Sequence, residues 1–97
     1  MVEVFQFQDQ GVVYRLVAVR HNNNWLVYTE EEYHTNKIGY VSSDSLQKLY
    51  LPFAQYGAMS FPMQVDKVKP SLEIACESIF RYALRYLREP REFVGVD

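Results

Sequence analysis

"PSLEIACESIFRYALRYLRE", residues 70–89, is the stretch that decides the fold. Pro70 suits the first turn of a helix and Pro90 marks its end, and no glycine lies between them. At 100° per residue, one flank of this stretch is apolar, which predicts one long helix over 70–89 that packs that flank on a core. The members of the flank are Leu72, Ala75, Cys76, Ile79, Phe80, Ala83, Tyr86 and Leu87.

The first half of the chain predicts antiparallel strands. Residues 2–7, 12–20 and 25–30 are rich in β-branched and aromatic side chains. Gly11 and the asparagines at 22–24 suit the tight turns between these runs, because they tolerate positive φ. A short fourth strand at 37–41 is left open, so the sequence predicts a meander of three to four strands.

The second strand has apolar side chains on both of its faces. Because side chains alternate along a strand, one face would meet the helix and the other would meet a curled part of the sheet or a second subunit. One face carries Val13, Arg15, Val17 and Val19, and the other carries Val12, Tyr14, Leu16 and Ala18.

A short helix is predicted between the strands and the long helix. Asp44 has the features of an N-cap, with Gln47 three residues later. Proline breaks a helix interior, so this helix is expected to end near Pro52. Its apolar positions, at helical spacing, are Leu46, Leu49, Tyr50 and Phe53.

Residues 57–65 alternate apolar and other side chains. Pro62 excludes a central strand, which predicts an edge strand or an extended loop. Its apolar side chains either close one end of the core or form a methionine-rich contact surface that adapts to a partner. These side chains are Met59, Phe61, Met63 and Val65.

We therefore expect a single α+β domain over 1–97: a meander of three to four strands packed against one long C-terminal helix, with a short helix between. The apolar fraction of 48% and the charged fraction of 23% are typical of a small folded protein. The last residues, 91–97, would be loose or docked through Phe93. The single Cys76, the absence of a signal-peptide pattern and the absence of a long apolar run predict a soluble, cytoplasmic protein without a membrane span.

The arginines on the polar flank of the long helix raise the question of a charged partner. Residues 67–91 hold six basic and three acidic side chains, a net charge of +3, but the whole chain has a pI near 5.6. A solvated helix face explains the arginines best, a partner-facing surface is the alternative, and nucleic acid is the third interpretation. Ile74, alone on the polar flank, favours the partner interpretation.

No arrangement of residues predicts catalysis. Cys76 falls on the apolar flank, where a thiol is usually a small buried hydrophobe. His21 and His34 lack a companion at metal-binding spacing, and Glu30–Glu32 cannot all converge on one cation from an extended segment. We therefore expect no catalytic residue, no metal and no cofactor.

The leading functional hypothesis is a small non-catalytic protein-interaction module that forms a homodimer. An alternative is a small-molecule-binding protein with an aromatic pocket between sheet and helix, and a third is an accessory protein associated with nucleic acid. The candidate partner contacts are Met59, Phe61, Met63, Ile74, Arg81, Arg85 and Arg88. The candidate ligand contacts are Tyr14, Trp25, Tyr28 and Phe61.

Overall fold

A computed structural model describes residues 1–44, 46 and 48–89, which form a six-stranded antiparallel sheet and two helices. Each strand pairs with the next one in the chain, so the sheet order is β1-β2-β3-β4-β5-β6. The predicted α+β meander is confirmed, but the sheet has six strands and not the three to four that the sequence predicts. The strands are β1 (Val2–Asp9), β2 (Val12–His21), β3 (Asn24–Thr29), β4 (Lys37–Asp44), β5 (Leu49–Ala54) and β6 (Met63–Gln64).

The first two turns follow from residues that accept positive φ. Gln10 and Gly11 have φ values of 51° and 78°, and they join β1 to β2. Asn22, with φ of 58°, lies in the turn between β2 and β3. Turns of this hand match the twist of the strands that they connect, so both hairpins form where the sequence predicts them.

The fourth strand forms and is longer than the segment 37–41. β4 contains a bulge, because Gly39 lies opposite Val27 whereas Lys37 lies opposite Tyr28. Ile38 is the extra residue and is fully buried. A Cβ atom added at Gly39 would lie 2.2 Å from the carbonyl oxygen of Phe53 on β5, so only glycine allows β4 and β5 to approach this closely.

The predicted short helix near 44–53 is wrong, because this segment is a turn followed by β5. The Asp44 carboxylate accepts a hydrogen bond from the Leu46 N–H (2.9 Å), and the Asp44 carbonyl accepts one from the Lys48 N–H (2.7 Å). Leu46 is 93% exposed and so contributes nothing to an apolar helix face. Asp44 thus caps a hairpin turn, a role for which aspartate is as well suited as for a helix N-cap.

Pro52 lies in β5 without disrupting the pairing with β4. The Tyr50 N–H donates to the Lys69 carbonyl (3.0 Å), and the Pro52 carbonyl accepts from the Val65 N–H (3.1 Å), so the hydrogen-bonding groups of both residues point away from β4. An N–H at position 52 would have pointed away from β4, towards the side of β6, and β6 pairs only with Phe53 and Ala54 of β5. The loss of this donor therefore leaves the β4–β5 ladder intact.

The segment 57–65 is a loop that ends in the two-residue edge strand β6. This agrees with the prediction that Pro62 excludes a central strand. Phe61 is 80% exposed and Met63 is 49% exposed, so these two side chains lie outside the core.

The prediction of one long helix over 70–89 is wrong, because two shorter helices form there. α1 spans Leu72–Tyr82 and α2 spans Leu84–Arg88, with Ala83 between them at φ −92° and ψ 8°. The Ser71 hydroxyl caps α1 by accepting a hydrogen bond from the Ile74 N–H (3.2 Å). The break at Ala83 directs the Tyr86 side chain towards Asn36. The Tyr86 hydroxyl donates a hydrogen bond to the Asn36 side-chain oxygen (2.7 Å).

The core lies between the helices and the concave side of the sheet. α1 packs across β4 and β5 and also reaches β1, at the opposite edge of the sheet, which requires the sheet to curve around the helix. The Phe80 ring lies 5.2 Å from the rings of both Phe7 and Tyr14. The predicted inward flank is confirmed: its fully buried members are Ala75, Cys76, Ile79, Phe80 and Ala83.

Neither described helix has the length and apolar character that a membrane crossing requires. Residues 91–97, for which docking through Phe93 is one expectation, lie outside the described residues.

We expect Gly39→Ala to lower the free energy of unfolding by about 1–3 kcal/mol, because the new methyl group collides with the backbone of β5. Urea denaturation of both proteins measures the difference. Ser42→Ala, on the same strand, is the control and should change stability much less. Equal stability of Gly39→Ala and the parent would contradict the close approach of β4 and β5.

Candidate functional site

The convex side of the sheet, here called the outer face, carries a continuous apolar surface. The strand register aligns Val2, Val19, Leu26, Tyr40 and Phe53 in one row across five strands. A second row aligns Val4, Val17 and Tyr28 and ends at Lys37 on β4. Both helices pack on the opposite side of the sheet, so no described helix covers these rows.

Side chains of the outer face already pack against one another. The rings of Tyr40 and Phe53 stack with centroids 4.9 Å apart. Val17, which lies between Val4 and Tyr28 in the second row, is only 4% exposed although no described helix covers it. A surface that is this dense and apolar has the character of the central part of a protein interface.

Charge on the outer face lies at its rim. Arg15 pairs with Glu30 at 2.8 Å, and its guanidinium also donates to the Gln6 side-chain oxygen at 3.2 Å. The hydrogen bond and the charge of Glu30 raise the pKa of Arg15. On β1, β2 and β3 the two apolar rows carry no charged residue, and the charge of Lys37 lies where the second row ends on β4, a distribution typical of interfaces, in which charged side chains are depleted at the centre.

The arginines of the polar helix flank contact acidic groups of the same chain. Arg81 lies 3.6 Å from Asp9 and 3.4 Å from Glu77, and Arg88 also pairs with Asp9. Glu77 and Arg81, four residues apart on α1, thus form an ion pair along the helix. Arg85 is exposed on α2. Pairing of Arg81 and Arg88 ties the helices to the end of β1 and reduces the positive charge that this flank would offer to nucleic acid.

The candidate partner contacts do not form one surface. Met63 accepts a hydrogen bond at its Sδ from the Tyr82 hydroxyl (2.9 Å), and Tyr82 lines an open groove of about 480 Å³ together with Ile74 and Arg81. Phe61 projects into solvent. Met59 lines a separate open depression with Tyr56 and Tyr86, whose rings stack at 4.6 Å. Burial raises the pKa of both tyrosines.

The candidate ligand contacts do not converge either. Trp25 is buried in the core and its Nε1 has no hydrogen-bonding partner among the described residues. Tyr28 lies on the outer face, where it contacts Tyr33, and Phe61 lies in the exposed loop. No single pocket of the described chain is lined by all four residues, and of the four only Tyr14 lines the cavity between sheet and helix.

That cavity has a volume of about 290 Å³ and lies where β2 extends past the end of β3. Tyr14 and Leu16 line the sheet side, and Tyr86 and Leu87 line the α2 side. Sequence reasoning placed Tyr86 on the inward flank of the helix, but nothing in the sequence indicated its partner Asn36. Their hydrogen bond depends on the turn of the chain at Ala83.

The residues considered for chemistry lie apart from one another. Cys76 is fully buried, and burial, with a smaller effect of Glu73, raises the pKa of its thiol to about 12. His34 stacks on Tyr33 with ring centroids 3.7 Å apart. Within residues 1–44, 46 and 48–89, no group of three or more His, Cys, Asp or Glu side chains is placed to hold a metal ion.

The outer face and the cavity beneath α2 are thus the two features of the described chain best suited to binding. No protein-family model, curated protein or solved structure matches this chain.

We expect Cys76 to react with a disulfide reagent only after the protein unfolds, because the native thiol is buried and its pKa near 12 leaves almost no thiolate at neutral pH. The reaction is followed by absorbance in buffer and in concentrated denaturant. Rapid labelling of the native protein at pH 7 would contradict the inward orientation of this flank of α1.

Proposed function

We propose that this protein is a non-catalytic interaction module that works as a homodimer, with the outer faces of two copies packed together. The observation that carries the proposal is the pair of apolar rows, with a charge only at Lys37 at the end of one row, on the side of the sheet opposite the helices. An antiparallel sheet that faced water on this side would carry mainly polar side chains there.

The size of the outer face supports a partner as large as a protein. Five strands about 4.8 Å apart, with lengths of six to ten residues at about 3.4 Å each, give a face of roughly 500–800 Å². A standard interface buries about 800 Å² on each partner. The outer face is therefore near the size that a stable complex needs.

A second copy is a suitable occupant because the surface is compatible with itself. A two-fold dimer brings the same patch of each copy together, so any charge at its centre would face a like charge. The charge in the rows that include Leu26 and Tyr28 is that of Lys37, which lies at the end of its row and not at the centre. Two sheets can then pack about 10 Å apart with their strands nearly aligned, as in a β-sandwich.

We expect the chain to have a mass of about 23 kDa by light scattering at micromolar concentration, twice the 11.5 kDa of one copy. Leu26→Lys should weaken the dimer at least tenfold, because it buries an unpaired charge at the centre of the interface. Sedimentation equilibrium of the two proteins measures the change.

Phe61→Lys is the matched control, since it adds the same charge at a side chain that is 80% exposed outside the outer face. It should leave the dimer unchanged. A monomeric parent protein contradicts the homodimer. If Phe61→Lys disrupts the dimer and Leu26→Lys does not, the interface lies at the 57–63 loop and not on the outer face.

A second candidate function, small-molecule binding, is favoured by the cavity of about 290 Å³ between β2 and α2. It has the position expected for a pocket between sheet and helix, and its walls combine apolar side chains with the polar groups of Tyr14, Tyr86 and Asn36. Charged side chains also line it: Arg15, Glu30, Glu31 and Glu32. Its volume suits a ligand smaller than most drug-sized compounds.

We expect a ligand of this cavity, sought among small metabolites, to raise the unfolding temperature of the parent and not that of Leu87→Trp, whose indole fills the space. Thermal unfolding with each compound is the measurement. Leu72→Trp is the control, because Leu72 is also partly buried but does not line the cavity. A compound that stabilises both tryptophan variants as well as the parent binds elsewhere.

A further inference from the structure

β1 forms one edge of the sheet, and no described strand pairs with its outward side. The Met1 carbonyl accepts a hydrogen bond from the Arg20 N–H of β2 (3.0 Å), whereas the Gln8 carbonyl faces away from β2 and accepts from the Arg81 guanidinium (3.4 Å). Backbone groups alternate in direction along a strand. The N–H and C=O groups of Val2, Val4 and Gln6 therefore point outward from the edge.

This edge carries the charged residues Glu3 and Asp9, but it is neither short nor bulged, and these are two of the features by which proteins usually block strand addition. β1 pairs with β2 over eight consecutive residues without a bulge or a proline. The opposite edge is protected, because β6 has two residues, follows Pro62, and is succeeded by a segment whose Lys69 pairs with Tyr50 of β5. Among residues 1–44, 46 and 48–89, the two edges thus differ in a way that leaves β1 open to a further strand.

We propose that the β1 edge binds an extended segment of another protein by antiparallel strand addition. The added segment would hydrogen-bond to the outward groups of Val2, Val4 and Gln6. Antiparallel pairing continues the arrangement of the rest of the sheet, in which every pair of neighbouring strands is antiparallel.

Two charged side chains, one at each end of the β1 edge, determine which charged residues the added segment would carry. Glu3 is exposed on the helix side of β1, and no described contact pairs its carboxylate. The Arg81 guanidinium lies at the other end, beside Gln8; it also contacts Asp9 and Glu77, but its side chain remains 47% exposed and thus accessible to a further carboxylate. An antiparallel segment runs from Arg81 towards Glu3, so it would carry an acidic residue opposite Phe7 and a basic residue four positions later, opposite Glu3.

Apolar contacts define the positions between those charges. Phe5 is half-buried on the helix side, with its ring 6.5 Å from that of Phe7, so the residue opposite it would be aromatic or large and aliphatic. On the outer face, the residues opposite Val4 and Val2 would be β-branched. The predicted ligand class is therefore an extended peptide with an acid, a central aromatic residue and a base at alternate positions.

The labelled heptapeptide QETFVKV, blocked at both ends, is the probe. We expect saturable binding to the full chain by fluorescence anisotropy, with amide chemical-shift changes concentrated at residues 2–8. The peptide QKTFVEV has the same composition with the charges exchanged, and it should bind at least tenfold more weakly. Equal binding of the two peptides would overturn the charge assignment.

Backbone methylation tests strand addition itself. In the bound peptide, the N–H groups of the threonine and of the first valine face β1, whereas that of the phenylalanine faces away. N-methylation of the threonine and that valine should reduce affinity at least tenfold, and N-methylation of the phenylalanine should leave it nearly unchanged. Equal effects of the two modifications would overturn the proposal.

Variants of the protein give a second test. Gln6→Pro removes one outward N–H but no hydrogen bond between β1 and β2, so it should prevent peptide binding, whereas Gln6→Thr should preserve it. If Gln6→Pro fails to fold, charge reversal replaces it: Glu3→Lys should bind QETFVEV better than QETFVKV. Failure of this reversal would overturn the predicted contact with Glu3.

Other occupants of the edge have distinct signatures. An increase in peptide affinity of tenfold or more in Phe93→Ser would assign the edge to the chain's own C-terminal segment. Assemblies larger than the dimer that Gln6→Pro abolishes would assign it to another copy. Either result overturns the proposed partner, and no detectable peptide binding at about 1 mM does so as well. Leu26→Lys tests the outer-face dimer separately.

Discussion

The packing of Phe80 against the concave side of the sheet is the interaction on which the rest of the structure depends. Phe80 is fully buried, and its ring contacts Phe7 on β1 and Tyr14 on β2. Burying a side chain of this size contributes about 1.5–3 kcal/mol, and aromatic contacts add to it. Because α1 also packs across β4 and β5, this contact curves the sheet around the helix and gives it a covered side and an uncovered side.

The uncovered side follows directly from that arrangement. One helix pair can cover one face of a six-stranded sheet, yet β2 is apolar on both faces, with Leu16 buried on one and Val17 on the other. The outer face therefore has no intramolecular partner among the described elements. Monomeric proteins seldom expose a large apolar surface of this kind, and this tendency is the basis of the proposed homodimer.

Residues 44–54 show why local sequence patterns were insufficient to predict this part of the secondary structure. Leu46, Leu49, Tyr50 and Phe53 have the spacing of a helix, but a strand uses two faces, and β5 places Leu49, Leu51 and Phe53 on the outer face and Tyr50 on the other. Asp44 favours a turn as much as a helix N-cap. The pairing of β5 with β4 decides between these outcomes, and most of the β4 residues in that pairing lie before residue 44, outside the segment whose pattern predicts a helix. Likewise, Tyr86 was recognised as inward-facing, whereas its partner Asn36 is 50 residues away.

The sequence alone determined the α+β class, the first two hairpins, the two-faced character of β2 and the inward flank that contains Cys76. These features depend on residues close together in the chain, through periodicity and turn chemistry. Only the tertiary structure decided the number of strands, the break at Ala83, the separation of Trp25 from Tyr28 and the exposure of the β1 edge. Each of these depends on which distant segments pair, and pairing is set by the free energy of the whole fold rather than by any one segment.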